Sequence, residues 1–493
     1  MARSPFVTVT AAGAALLTAT LIVASCDREA APQLAPTVHQ AARSGDLTRL
    51  HLLLEAEVNP DAVDAVGWTP LHHAAAVGAL EAAALLLARG ADIAAATREI
   101  GATPLYLATR EGHVAVAREL LARGADPAAA AVAGWTPLHI AAMRGRAEVV
   151  RLLLDRGLAP DAPTLAGWTP LYLAAQEGRD QVVQILLEAG ADAGARFERG
   201  WSLLHVAAAN GHAPVCRTLI ERGLPVDATS DAAVTPLHVA AHVASPRAAE
   251  LLLDQGAELE PRDREGATPA RVAAASGRRD VLELLLDAGV EVNTQLDEQN
   301  WTLLHVAAGA GHRDVVELLI ERGADPNAKT GLGWTPLYAA AKEAHTEAAL
   351  RLLEARADID ARNNDGATAL YISAFMGNLE LARHLVEAGA HIDGRAFNLE
   401  TPLHVAARKD LLEFAEFLLD GGADVDAAQH DGMTPLHQAA ANGHTKMVEL
   451  LLARGTNSEA VEGRGATPLQ LAQRSGHADV AEVLRAWGAS RPR

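Results

Sequence analysis

The chain has few cysteines and few aromatics: Cys26 and Cys216 are its only thiols, and Phe, Trp and Tyr make up 3% of 493 residues. Two thiols cannot build a disulfide framework, so the fold must hold without covalent staples. With aromatics scarce and hydrophobic residues at 49%, the apolar stock is mostly Ala, Leu and Val. That stock suits closely packed short helices better than a sheet-rich core. Basic residues are also short, 42 Lys and Arg against 62 Asp and Glu, for a formal charge of −20. The acidic side chains are spread along the chain, and their field repels phosphate backbones, so nucleic acid is not an expected partner. Glycine-rich phosphate loops, nucleophile elbows and isolated carboxylate pairs are lacking as well. The reading is therefore not an enzyme, with no cofactor and no bound metal expected.

Charge is missing altogether between Phe6 and Ala24. Arg3 is the only basic side chain before this run, which reads as an export signal with a weak basic start. The run ends in "VASC", Val23 to Cys26. This resembles a bacterial lipobox: a branched apolar residue, two small ones, and the Cys that becomes the lipidated N-terminus. It implies a signal peptide over residues 1–25, a lipid anchor at Cys26 and a short spacer over 26–34. An uncleaved membrane helix is the alternative, since the run is near the ~20 residues that span a bilayer. Either way the remainder is exported, to the periplasmic or extracytoplasmic side of a cell envelope. Asp27 follows the Cys, where an acidic residue resembles an inner-membrane retention signal in enterobacteria.

The remainder repeats. Thr69-Pro70-Leu71-His72 recurs in aligned copies beginning at Thr103, Thr136, Thr169, Ser202, Thr235, Thr268, Thr302, Thr335, Thr368, Thr401, Thr434 and Thr467, in steps of 33 residues with two of 34. A further copy near Pro36, "TVHQAARSGD", lacks the Thr-Pro turn. Fourteen units then fill residues 35–489, with a tail at 490–493 and no room for a separate catalytic domain. A fixed period of this length is the mark of stacked repeats.

"TPLHIAA" at Thr136–Ala142, followed by "EVVRLLLDRG" at Glu148–Gly157, resembles the ankyrin repeat family. The resemblance implies an all-α repeat solenoid, a curved superhelix of helix-turn-helix units with a β-hairpin finger in each, that acts by binding proteins. Local chemistry agrees. Thr136 can cap a first helix and Pro137 fits its first turn. Leu138, Ala141 and Ala142 give an apolar face of small residues, Gly145 a turn, and Val149, Val150, Leu152 and Leu153 the buried face of a second helix. Gly157 suits a left-handed helix end. One unit cannot cover these faces alone, whereas stacked neighbours can. Arg485 replaces the Leu154-type residue in the last unit, as expected of a terminal cap, and Glu57 stands at the helix-ending Gly position of the first.

Twenty histidines could suggest a metal. Eight of them (His39, His72, His139, His205, His238, His305, His404, His437) fill the fourth position of the motif, which Tyr106, Tyr172, Tyr338 and Tyr371 fill in other units. Tyr and neutral His share a flat apolar body and a hydrogen-bonding tip but no metal chemistry, so a structural tie to neighbouring fingers is expected. His113, His212, His312, His345, His444 and His477 follow the interhelical turn. Cys216 aligns with Val150 and reads as a core residue. Residues 235–300 depart from pattern at Ala244-Ser245-Pro246, Ala270-Arg271 and Asn300, either as tolerated drift or as a soft joint.

Six of the seven tryptophans (Trp68, Trp135, Trp168, Trp201, Trp301, Trp334) directly precede the motif's Thr or Ser, a position that holds Ala102, Val234, Ala267, Ala367, Glu400, Met433 and Ala466 elsewhere. A position that accepts Glu, Ala and Trp does not read as a tight core slot. The resemblance places it at the finger base, beside a concave surface where partners are held. Trp is enriched at binding hot spots. The expected protein-binding set is these six Trp residues with Arg110, Glu111, Met143, Arg144, Gln176, Glu177 and Asn210. The expectation is that Ala at Trp135, Trp168 and Trp201 together spares the fold and abolishes capture; the alternative is that the Trp rings only stiffen the stack. The sequence as a whole reads as a monomeric, membrane-tethered scaffold for a protein partner. An envelope accessory factor supporting an enzyme or redox partner, or a secreted effector binding host proteins, is the alternative.

Overall fold

The computed structural model of the chain describes residues 37–490. The signal peptide, Cys26, the spacer and most of the tail lie outside that range. Among the described residues no helix is long and apolar enough to cross a membrane.

Helices begin where the recurrent Thr can cap them. In the unit from Thr136, the cap residue is extended (φ −89°, ψ 167°) and Pro137 opens the helix Pro137–Met143. Leu138, Ile140, Ala141 and Ala142 are buried to 1% exposure or less. Gly145 turns the chain at φ +71°, and the second helix Ala147–Leu154 buries Val149, Val150, Leu152 and Leu153. The described residues repeat this pair fourteen times, from Val38–Ser44 with Leu47–Glu55 to Pro468–Arg474 with Ala478–Ser490. The all-α repeat solenoid is thus the observed fold class.

The pairs gather into two compact units, Met1–Arg264 and Glu265–Arg493, with seven described pairs in each. Within each unit first helices pack on the neighbouring first helices and second helices on second helices. The core is therefore a continuous row of small and branched side chains rather than one globule, as stacking requires. The unit boundary falls inside the irregular stretch 235–300. Ala244 and Asn300 there hold left-handed backbone, both at φ +61°, without being Gly, each at a cost of roughly 1–2 kcal/mol.

The fingers differ from expectation. Among the described residues no strand forms. Each finger closes instead by a short backbone bond onto the residue before the Thr, such as Ala131 N–H to Trp135 O at 2.7 Å or Thr164 N–H to Trp168 O at 2.9 Å. A single further bond joins neighbouring fingers, such as Leu165 N–H to Ala133 O at 2.9 Å. Turn bonds within a finger and a single bond between fingers do not make the alternating ladder of a sheet.

Arg485 is exposed. Glu57 holds the left-handed position at φ +58°.

Turn glycines do double duty. Gly178 has φ +67°, and a Cβ added there would meet His212 Nδ1 at 2.5 Å. The imidazole Nε2–H in turn donates to Gln176 O at 2.9 Å. Gly178→Ala is expected to strain the backbone and displace the ring, a loss of about 2–3 kcal/mol. A urea midpoint unchanged from wild type would contradict this.

Candidate functional site

The histidines of the motif tie each unit to the next. The cap N–H, from Thr or Ser, donates to the His Nδ1 three residues on; Thr235 does so to His238 at 3.2 Å, and so do Thr69 to His72, Thr136 to His139, Ser202 to His205, Thr302 to His305, Thr401 to His404 and Thr434 to His437, at 3.1–3.3 Å. Nδ1 must therefore accept. In the latter six, Nε2 reaches a backbone carbonyl in the next unit, Ala102, Trp168, Val234, Trp334, Met433 and Ala466 in turn, at 2.9–3.2 Å. A carbonyl can only accept, so Nε2 carries the proton. These two contacts specify one neutral tautomer, and a second proton on Nδ1 would face the cap N–H. The rings are fully buried. Burial, the largest cause, depresses His72, His139, His205 and His404 to about 4.

The second group of histidines reaches backward. His113, His212, His312, His444 and His477 each place Nε2 at 2.9–3.1 Å from a carbonyl ending the preceding first helix. Arg146 and Arg179 do the same with Nε, to Arg110 O and Met143 O. These imidazoles are spent on helix ends. Among the described residues no group of three or more His, Cys, Asp or Glu is placed to hold a metal. Cys216 is fully buried, and burial pushes its thiol up to about 12, far from a reactive thiolate.

The carbonyl that accepts each forward tie belongs to the residue before the next Thr, which is the Trp position. This explains its tolerance of Trp, Ala, Val, Glu and Met, since every residue type supplies the carbonyl. The inference that the position is loosely packed is nevertheless corrected. Trp135 is 2% exposed and packs in a core cluster with Ile100, Tyr106, Leu107, Ile140 and Met143. Its ring meets Trp168 edge-to-face at 6.4 Å. Trp168 stacks on Tyr172 at 6.1 Å, and Tyr172 meets Phe197 at 4.6 Å. Trp68, Trp168, Trp201, Trp301 and Trp334 are half-buried. In the second unit Trp301 meets Trp334 at 6.2 Å, and the Lys342 ammonium stands 5.0 Å over the Trp334 ring. Each ring covers the His or Tyr of its own unit.

Arg110 and Met143 are corrected in the same way. They are 5% and 7% exposed, too buried to border an open surface. Arg110 is turned to Glu111, with Nε 2.5 Å from Oε1. Glu111, Arg144, Gln176 and Glu177 are half-buried and Asn210 is exposed; these keep polar groups within reach of a partner.

Sequence reading passed over a third feature, in the second unit. Glu400 takes the Trp position, yet it is 6% exposed. It is held by Tyr371 Oη–H to Oε2 at 2.5 Å, Arg408 Nη2 to Oε1 at 3.2 Å and Gln429 Nε2 to Oε1 at 3.3 Å. The same carboxylate, with burial as the larger cause, raises the Tyr371 hydroxyl well above its ordinary value. Above this cluster opens a pocket of about 320 Å³ walled by Tyr338, Tyr371, Phe375 and Phe397. The signal was present in the sequence as the one acidic residue at an otherwise apolar position.

The model for ankyrin repeats (three copies) matches residues 38–131, 129–197, 190–263, 250–330, 328–396 and 403–490. The chain belongs to the ankyrin repeat family. No curated protein matches it. Among solved structures it is similar to the ankyrin repeat domain of human ASB11, at 30% identity over 46% of this chain and 100% of that one, with a TM-score of 0.42. Ankyrin repeats in general serve as protein-interaction scaffolds, and this ankyrin array offers the same kind of surface.

Proposed function

We propose that this ankyrin array is a membrane-tethered scaffold that holds a protein partner at the bacterial cell envelope, anchored through a lipid on Cys26. The observation that supports binding is the division of labour within each repeat. Caps, ties and helix faces are spent on the stack, while half-buried Trp168 and Trp201 and the polar groups of Arg144, Gln176, Glu177 and Asn210 are left free to vary. Such preorganised surfaces bind without large ordering costs. The "VASC" stretch supports the tether.

Because Trp135 belongs to the core, a variant that includes it cannot separate folding from binding. The sharper test is Glu177→Ala with Asn210→Ala, both at sites with room to change. Affinity capture from crosslinked envelopes is expected to lose its partner in this pair while circular dichroism stays unchanged. Equal capture by the pair and the wild type would move the site elsewhere. Cys26→Ala is expected to release the chain from the membrane fraction.

A further inference from the structure

One finger of the second unit makes three locally unfavourable choices in a row. Phe397 stands 85% exposed. Leu399 takes left-handed backbone at φ +64°, where a bulky residue is strained. Glu400 puts a carboxylate at a buried position where the adjoining units place Ala367 and Met433. Rule-breaking choices that cluster in this way mark functional sites more often than chance drift does. This finger borders the aromatic pocket described above.

We propose that the pocket captures the long cationic side chain, Arg or Lys, of a basic segment in the protein partner. Four of the lining residues are aromatic, and the quadrupole of a ring face attracts a cation. Phe375 already demonstrates this, because the Lys409 ammonium stands 4.6 Å over its ring. Among the described residues no cation stands over Phe397, and its side chain is open to solvent. The charge balance points the same way. Arg408 offsets Glu400, which is also satisfied by Tyr371 and Gln429. The Asp365 carboxylate lines the pocket and is exposed, and it is opposed by no ion pair among the described residues. It is also close enough to Tyr338 to raise that hydroxyl, second to burial. The exposed Asp365 carboxylate beside the open Phe397 ring fits one cation. The chain's −20 charge would draw a basic segment toward it.

This inference rests on the reading of the chain as a protein-binding scaffold, and its test does not need the partner. The full chain, labelled with 4-fluorophenylalanine, is titrated with N-acetyl-arginine methylamide and with its lysine counterpart, followed by fluorine NMR. The neutral citrulline derivative is the control. Both cations are expected to give saturable shifts with Kd near about 1 mM, the range of a single anchoring side chain. Citrulline is expected to give none. Asp365→Asn and Phe397→Ala change exposed side chains and leave the fold in place; each is expected to weaken the cations about tenfold. Shifts that do not saturate, equal binding of citrulline, or unchanged affinity in both variants would overturn the proposal. Partner capture that persists despite such a result would leave the scaffold reading standing and remove only the pocket.

Discussion

Lowering the pH from 7 to 4 is expected to unfold much of the array, with most of the loss between pH 6.5 and 4. The cause is the forward tie. Four rings, those of His72, His139, His205 and His404, hold at about 4 in the folded chain, against about 6.5 when unfolded. Folding therefore favours the neutral form. The stability this gives is complete above pH 6.5. It declines as pH falls, because the unfolded chain then takes up protons that the folded chain refuses, and the decline ends near pH 4, where both states are protonated. Each ring loses about 1.4 kcal/mol per pH unit inside that window, or about 3 kcal/mol across it. His305 and His437 shift in the same direction for the same reason. Carboxylates titrate mostly at the lower end, so the half of the window above pH 5 belongs to histidine. Urea midpoints measured by circular dichroism should fall steadily over that half. A flat midpoint from pH 6.5 to 5 would mean that the rings are protonated, or not tied, in the folded chain. His205→Gln should flatten the slope locally. The unit from Thr467 already carries Gln470 here, which keeps the cap through Oε1 at 3.0 Å from Thr467 N.

Trp135→Ala is expected to cost about 3–5 kcal/mol, the range for removing a large buried aromatic. The site cannot collapse easily, because neighbours on both sides are fixed by backbone ties at Ala102 and Trp168. Loss should spread to the adjoining repeats through Trp168, whose ring rests against Trp135 at 6.4 Å. Trp201→Ala, at a half-buried position in the same row, should cost visibly less. Chemical denaturation of the two variants side by side decides the matter. Equal destabilisation would mean that the row carries load evenly and that Trp135 has no special place in the core.

The scaffold was legible because its chemistry is local. Thr136, Pro137, Gly145 and Gly157 announce cap, first turn, bend and helix end within one unit, and the structure uses each as such. The tie to the next finger expected at the fourth motif position is made to backbone by the His residues, while Tyr371 reaches the Glu400 carboxylate instead. The Trp position misled because variability was read as exposure. The residue's conserved duty is carried by its carbonyl, which the sequence does not display, so the side chain varies even where it is buried. Trp135 became core because Ile100 and Tyr106 from the preceding unit and Leu173 from the following one close around it together with Met143 of its own. That closure is a property of three units at once. The pocket at Glu400 depends in the same way on Tyr371, one unit earlier, and Gln429, one unit later.

The forward ties span 29 or 30 residues, and the backward ties 36 or 37. None skips a repeat. Cutting out one whole period, such as residues 136–168, would hand each severed donor an equivalent acceptor from the next unit along. Such a protein can lengthen or shorten by complete units during evolution without inventing a new contact. The number of repeats is therefore free to follow the size of whatever it holds, while partial deletions, which put every donor out of step, are closed to it.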